Sequence, residues 1–303
     1  MSLSEAEARV DTAVAAEDVG GSLLKEAWRR LRRDPVAITG GAMVALFVLV
    51  AVIGPWIAPY GPSDRAGAVT PTMIPGPSSQ FWFGLDDLGR DELSRVILGA
   101  RQSLLVGVVS LVLGMIGGLT LGVLAGALGG WVDSLIMRII DIVLAVPGLL
   151  FAIGVAATLG RSLQSVMIAI AVVNVPIFAR LLRGQMLSQR EADYVAAATS
   201  VGLRRRVVVF RHILPNSISP VIVQGTLTLA TAIIDAAGLA FLGLGGTDPS
   251  VPEWGRMLAD SQDYLSGAIH LAIFPGLAIV FAALGFTLFG ERLREALDPK
   301  YRR

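Results

Sequence analysis

The 303-residue chain contains no cysteine, which excludes disulfides, thiolate metal sites and a cysteine nucleophile. Histidine is almost as scarce: His212 and His270 are too few and too far apart for a histidine-rich metal site. There are only two lysines. Lys25 follows Leu24 and Lys300 follows Pro299, so neither sits in the GxxxxGK[ST] loop that cradles nucleotide phosphates. Any ATP energy must arrive from another polypeptide. Neither HExxH nor GxSxG occurs, so the sequence offers no catalytic residue and no metal-ligating set. Charged residues make up 16% of the chain, where a soluble domain carries about 25%.

Apolar residues fill that space. They account for 54% of the chain, with a mean hydropathy of +0.68, and they fall in blocks long enough to cross a hydrocarbon layer of about 30 Å. The expected architecture is an all-α polytopic membrane protein with six spans, at 36–58, 103–128, 134–159, 163–182, 218–244 and 268–289. Pro147, Pro176 and Pro275 fall within the third, fourth and sixth spans, where a proline can kink a helix without ending it. With the N-terminus inside, 19 of the 25 Lys and Arg residues lie on inner segments, which puts both termini in the cytoplasm. Net charge is only +1 and gives no reason to expect nucleic acid.

Residues 1–22 are acidic and carry no basic-then-apolar secretory pattern, so they read as a disordered cytoplasmic tail. Residues 23–101 hold an amphipathic stretch, "SLLKEAWRRLRRDP", with Leu23, Ala27, Trp28 and Leu31 on one side; then come the first span and a long outer segment. The amphipathic stretch suits a helix on anionic lipid headgroups, or plain inner-side anchoring of the arginines. The end of the outer segment, "FGLDDLGRDELSRVILGARQSL", predicts a helix lying at the outer surface. Residues 102–303 form the remaining core and a short cytoplasmic C-terminus. Within the core, 245–267 is a second outer segment whose Trp254 and Tyr264 suit an interfacial position.

One inner stretch breaks the oily pattern: "YVAAATSVGLRRRVVVFRHILPN", from Tyr194 to Asn216, inside an inner loop at 190–215. Asp193 is a suitable N-cap, Tyr194 to Val201 make a two-turn helix, and Gly202 sits where a helix C-terminal glycine belongs. Alanines 196, 197 and 198 give that helix a low profile. It reads either as a handle for another protein's groove or as an ordinary connecting loop. Inside the spans, Asn174, Gln224 and Asp235 are the polar residues placed to touch a transported solute, although such side chains more often bond between helices. Arg138 and Asp141 stand three apart and are spaced to pair. The glycines at 107, 114, 117, 118, 122 and 126 permit close helix packing, with a GxxxG match at Gly118 and Gly122.

The inner stretch resembles the coupling loop of bacterial ABC importer permeases, patterned as Glu-Ala-Ala, three residues, Gly, nine residues, Ile-x-Leu-Pro. Ala197-Ala198, Gly202 and His212-Ile213-Leu214-Pro215 hold that spacing, with Ala196 for the usual Glu and His212 for the Ile. The His-x-Leu-Pro-Asn ending, "FGLDDLGRDELSRVILGARQSLLVG", "GGWVDSLIMRIIDIVLAVPGLL", "FLGLGGTDPSVPEWGRML" and "GERLREALDPKYRR" resemble the C-type permease of dipeptide, oligopeptide and nickel importers. The resemblance runs from about Trp28 to the end.

What it implies is a type I importer permease that forms the path for peptides across the bacterial cytoplasmic membrane. Its partners would be a homologous B-type permease, two ABC ATPase subunits that bind ATP and Mg, and an extracytoplasmic solute-binding protein. No cofactor would bind this chain. The coupling contact would come from Tyr194, Ala197, Ala198, Gly202 and Leu203, with His212, Leu214 and Pro215 fixing the loop's return. Relatives also handle nickel, haem or glutathione-like solutes. The rival from another class is an ion-coupled carrier working through Asp235.

Overall fold

Asp34 starts the first long helix by accepting hydrogen bonds from the backbone N–H groups of Val36 and Ala37 at 2.8 and 3.4 Å, with Pro35 ready-set in the first turn. In this computed structural model, which describes residues 25, 27–70 and 73–297, that helix is α1, Pro35–Ile57. It is followed by α2 (Glu92–Leu128), α3 (Gly130–Ala145), α4 (Gly148–Leu159), α5 (Leu163–Arg190), α6 (Asp193–Ser200), α7 (Ser219–Phe241), α8 (Trp254–Asp260) and α9 (His270–Leu297). Among the described residues there are only isolated bridges and no strand. The proposed tail at 1–22 lies outside the described residues, as do Leu23 and the last six residues.

Five helices, α1, α2, α5, α7 and α9, are each long and apolar enough to cross a membrane. The expected third span is not one helix. α3 and α4 meet at a 95° bend, so the pair is either a broken span or a re-entrant loop. The break has a local cause: Val146 precedes Pro147, and the proline ring pushes it to extended backbone (φ −90°, ψ 133°). Pro176 and Pro275 stay inside α5 and α9.

The expected surface helix before the second span is also replaced. Residues 83–90 are loop, while Glu92 onward belongs to α2, a continuous helix of 37 residues. At 1.5 Å per residue α2 is about 55 Å long, well beyond a hydrocarbon layer of about 30 Å, so part of it stands outside the membrane.

In lipid, helices gain little by hiding apolar surface from one another, so close backbone approach becomes the means of packing. Among the described residues, α2 and α5 make the most extensive helix–helix contact, and glycines make it possible. Gly114, Gly118, Gly122 and Gly126 recur every fourth residue along the α5-facing side of α2. A Cβ at Gly118 would come within 2.4 Å of the Phe178 Cβ, and one at Gly122 within 2.9 Å of the Ala179 carbonyl oxygen. The GxxxG match is therefore one part of a longer glycine row.

Loops gather at two ends. At one end lie the start of α1, the ends of α2 and α9, and α6; Arg292 on α9 reaches Asp34 at 3.5 Å. At the other, 60–70 and 73–91 interlock with 245–268 around a buried ionic group. Arg90 binds Asp86 at 2.5 Å and the Pro249 carbonyl at 2.7 Å, while Arg95 donates to the Pro62 carbonyl at 3.0 Å. Trp254, expected at an interface, is instead 3% exposed. Its ring packs on Phe47 (centroids 5.4 Å apart), and its indole N–H donates to the Val96 carbonyl at 2.9 Å. Gly99 leaves room for it, since a Cβ there would lie 2.8 Å from the indole.

Candidate functional site

α5 runs eight residues past its expected end, to Arg190, before the chain turns into α6. Asp193 is the first helical residue; Ala192 occupies the cap position and makes no side-chain cap bond, so the expected Asp193 cap lies one residue away. The other end matches its sequence signature. Gly202 adopts φ +83°, its N–H bonds the Thr199 carbonyl at 3.0 Å, and the Leu203 N–H bonds the Ala198 carbonyl at 3.2 Å. These two bonds form a Schellman motif, which satisfies carbonyls that the helix end would leave open. Only glycine takes that backbone conformation at low cost.

Within α6, Val195 and Ala198 face inward onto a cluster with Leu182, Met186, Val208, Val209 and Ile213. The outward side carries Ala196, Ala197 and Gly202, all exposed. Val201 beside them is 78% exposed and Leu203 39%. Of the five expected contact residues, Tyr194, Ala197, Gly202 and Leu203 thus share the surface, and Ala198 serves the interior. Tyr194 is also tied down: its hydroxyl donates to Gln189 Oε1 at 2.6 Å and lies 3.5 Å from Asn216 Nδ2.

The return segment explains His212, Leu214 and Pro215. Residues Val208–Ile213 form a π-helix, in which the Leu214 N–H reaches back five residues to the Val209 carbonyl. Pro215 follows at once. Its ring would clash with the Arg211 carbonyl in a regular α-helix and offers that carbonyl no N–H, so the widened turn precedes it. Asn216 Nδ2 donates to the His212 carbonyl at 2.7 Å and Ser217 Oγ to the Ile213 carbonyl at 2.8 Å. The helix then straightens into α7. π-turns of this kind recur at functional sites.

Residues 118–303 match the family described as binding-protein-dependent transport system inner membrane component, and residues 22–71 match the N-terminal TM domain of oligopeptide transport permease C. The chain is 46% identical over 281 residues to a dipeptide transport system permease protein of Alkalihalophilus pseudofirmus, covering 91% of this chain and 90% of that one. The chain belongs to the binding-protein-dependent permeases. It is a multi-pass protein of the bacterial inner membrane, and its family is one of membrane translocation subunits. A glutathione transport system permease protein of Pectobacterium atrosepticum is 43% identical over 276 residues, covering 91% of each chain. A di/tripeptide transport system permease protein of Pseudomonas aeruginosa is 43% identical over 282 residues, covering 92% of this chain and 93% of that one. In fold, the permease is similar to a subunit of the methionine ABC transporter MetNI in an inward-facing conformation (TM-score 0.56, 18% identity, 67% of this chain and 97% of that one).

The three span residues are not brought together into a polar site by the permease's own contacts. Asn174 is 4% exposed and donates to the Ile170 carbonyl of its own helix at 2.9 Å; its Cβ borders Gly114 on α2. Gln224 lies 3.4 Å from Thr228 Oγ1, one turn along α7. Asp235 is half-buried, and its carboxylate has no hydrogen bond or ion pair among the described residues. The described residues contain no cluster of three or more His, Asp or Glu side chains that could hold a metal ion.

Three contacts escaped the sequence reading. Arg138 does not pair with Asp141; Asp141 pairs with Arg180 across to α5. Asp133 takes a two-pronged contact from Arg183, at 2.8 and 2.6 Å, which ties the start of α3 to α5. Arg205 donates to the carbonyls of Ala127 and Leu128 at 2.6 and 3.1 Å, closing the end of α2. The partners are 39 to 78 residues apart, beyond the reach of helical spacing rules.

Proposed function

We propose that this permease forms the path for peptides in an ATP-driven importer, with α6 as the surface through which separate ATPase subunits move it. The observation that carries the coupling role is the α6 surface itself: a short helix, closed by the Gly202 turn, with a small, solvent-facing side of Ala197, Val201 and Leu203. An apolar exposed edge of this kind, beside the exposed Arg204 and Arg206, suits burial in a protein groove. The end bearing α6 faces the cytoplasm, because it collects most of the arginines, and the broken α3–α4 pair counts as the sixth span.

In this reading α6 is the rigid end of a lever. Val195 and Ala198 fasten it to α5 and to the return segment, so a push on α6 displaces both α5 and α7. Those helices carry Asn174, Gln224 and Asp235. Two ATPase subunits bind ATP and Mg, a homologous permease completes the path, and a solute-binding protein delivers cargo on the opposite side. This chain supplies no catalytic group and no cofactor site of its own. The peptide assignment is supported by relatives named for dipeptide, di/tripeptide and glutathione transport; family membership disfavours ion coupling through Asp235.

The test separates surface from fold. Ala197→Glu puts bulk and charge on the exposed side without touching the buried face. Its expected effect is loss of ATPase co-purification and of peptide uptake, with normal membrane insertion. Normal uptake by that variant would remove the lever.

A further inference from the structure

The end opposite α6 carries a cavity of about 220 Å³, between the start of α5 and the loop that joins α7 to α8. The coupling reading makes no use of it. It is larger than the apolar hole of about 150 Å³ that holds a benzene-sized molecule, so it exceeds the needs of a single water. Its lining mixes charge: Arg161 and Arg256 against Asp248 and Glu253, with Gln164 and Thr247 between.

The four charges are not equally committed. Arg256 donates to the Gly246 carbonyl at 2.8 Å and faces Asp260 at 3.5 Å. Asp248 accepts from the Ser250 N–H at 2.9 Å and from its hydroxyl at 2.6 Å. Arg161 is exposed and has no ion pair or hydrogen bond among the described residues. Glu253 is the opposite case: it is 4% exposed, and its Oε2 is buried with no hydrogen-bond partner. Burial pushes its carboxyl up to about 7, with Arg256 acting the other way. A buried acceptor left unmade is costly and marks a place where a donor is missing. Gly245 lets the backbone pass close beside this oxygen, since a Cβ there would stand 3.3 Å from Oε2.

We infer that this cavity is a binding subsite for a zwitterionic ligand, which sets an ammonium group beside Glu253 and a carboxylate beside Arg161. Lone ions fit worse. A bare anion meets Asp248 and Glu253, and a bare cation leaves Arg161 unanswered while facing Arg256. A ligand carrying both charges meets both free groups, and a dipeptide, with its ammonium at one end and its carboxylate at the other, has that form. The naming of peptides rests on the proposed function; the preference for a zwitterion rests on the cavity. Its place at the far end from α6 makes it a stop before the path through the helices.

The absence of cysteine from this chain gives a direct test. In the assembled importer without its solute-binding protein, Gln164→Cys is labelled with a maleimide in the presence of dialanine or of N-acetyl-dialanine amide. Dialanine is expected to slow labelling at least fivefold, and the blocked peptide to leave it unchanged. Adding either Glu253→Gln or Arg161→Gln should abolish the protection. Unchanged labelling with dialanine, or equal slowing by the blocked peptide, would overturn the subsite. Dialanine uptake by the complete wild-type importer, measured alongside, separates the two claims. Protection without uptake supports the subsite and sinks the peptide reading; uptake without protection sinks the subsite alone.

Discussion

Gly202 and Gly118 are both glycines for reasons of geometry, but for different ones. At Gly202 the constraint is the backbone: φ is +83° and nothing lies within 4 Å of a would-be Cβ. Gly202→Ala is therefore expected to cost about 1–2 kcal/mol of local strain without a clash, read as faster amide exchange at Leu203 and Gly202. At Gly118 the constraint is space, because a methyl group would meet Phe178 and the Val175 carbonyl. Gly118→Ala should separate α2 from α5 and lower the thermal stability of the solubilised permease. Gly184, in the interior of α5 with open space around it, is the control. There Gly184→Ala is expected to be neutral or to stabilise by about 0.5–1 kcal/mol.

Glu253 gives a pH dependence at the same scale. Its carboxyl is raised from an ordinary 4.5 to about 7, first through burial. Between those values the folded chain holds a proton that the unfolded chain has released, so stability falls as pH rises through that window. Below 4.5 both states hold the proton and the effect vanishes. The loss by pH 8 is of order 3 kcal/mol at most, and Glu253→Gln should flatten the profile. A melting temperature that rose across this window in the wild type and not in the variant would contradict the assignment.

At the scale of elements, hydropathy alone located α1, α2, α5, α7 and α9, because a helix in lipid needs a continuous apolar run. The α3–α4 break was not legible. Pro147 looks like Pro176 and Pro275 in sequence, yet it alone stands at a helix boundary among the three. What differs is tertiary: α3 is held to α5 through Asp133–Arg183 and Asp141–Arg180, pairs that no local pattern reveals. The burial of Trp254 was missed for the same reason. A tryptophan near a membrane boundary reads as interfacial until Gly99 and Phe47 open a seat for it. The α6 loop was legible almost to the residue, since its signals, the alanine run, the glycine stop and the proline after the return, are local. The inward turn of Ala198, the one-residue shift of the cap, the π-turn before Pro215 and the Arg205 contact with the end of α2 were beyond the sequence.

If the Asp133–Arg183 fork sets the angle of α3, breaking it should free that helix. Asp133→Asn leaves a largely solvated guanidinium without its charge partner, at a cost of about 1 kcal/mol or less. The expected readout is raised proteolysis or amide exchange confined to 130–146. Exchanging the two residues, as Asp133→Arg with Arg183→Asp, should recover part of the protection. Equal exchange in the single and double variants would show that packing, not the ion pair, holds α3.

For the whole molecule, the two ends divide the work. One end presents α6, small and outward-facing, joined to the interior by Val195 and Ala198. The other end is a cap, in which Arg90 and Arg95 tie 60–91 to the loop after α7. Between them, the glycine row packs α2 closely against α5, and in the proposed function this joint carries movement from one end to the other. The most direct test of this division is crosslinking in intact membranes from Ala197→Cys, in a chain that has no other cysteine. The account expects a bond to an ATP-hydrolysing subunit, changed in yield by nucleotide, and none from Ser250→Cys at the other end. Crosslinking from Ser250→Cys but not from Ala197→Cys to that subunit would contradict it.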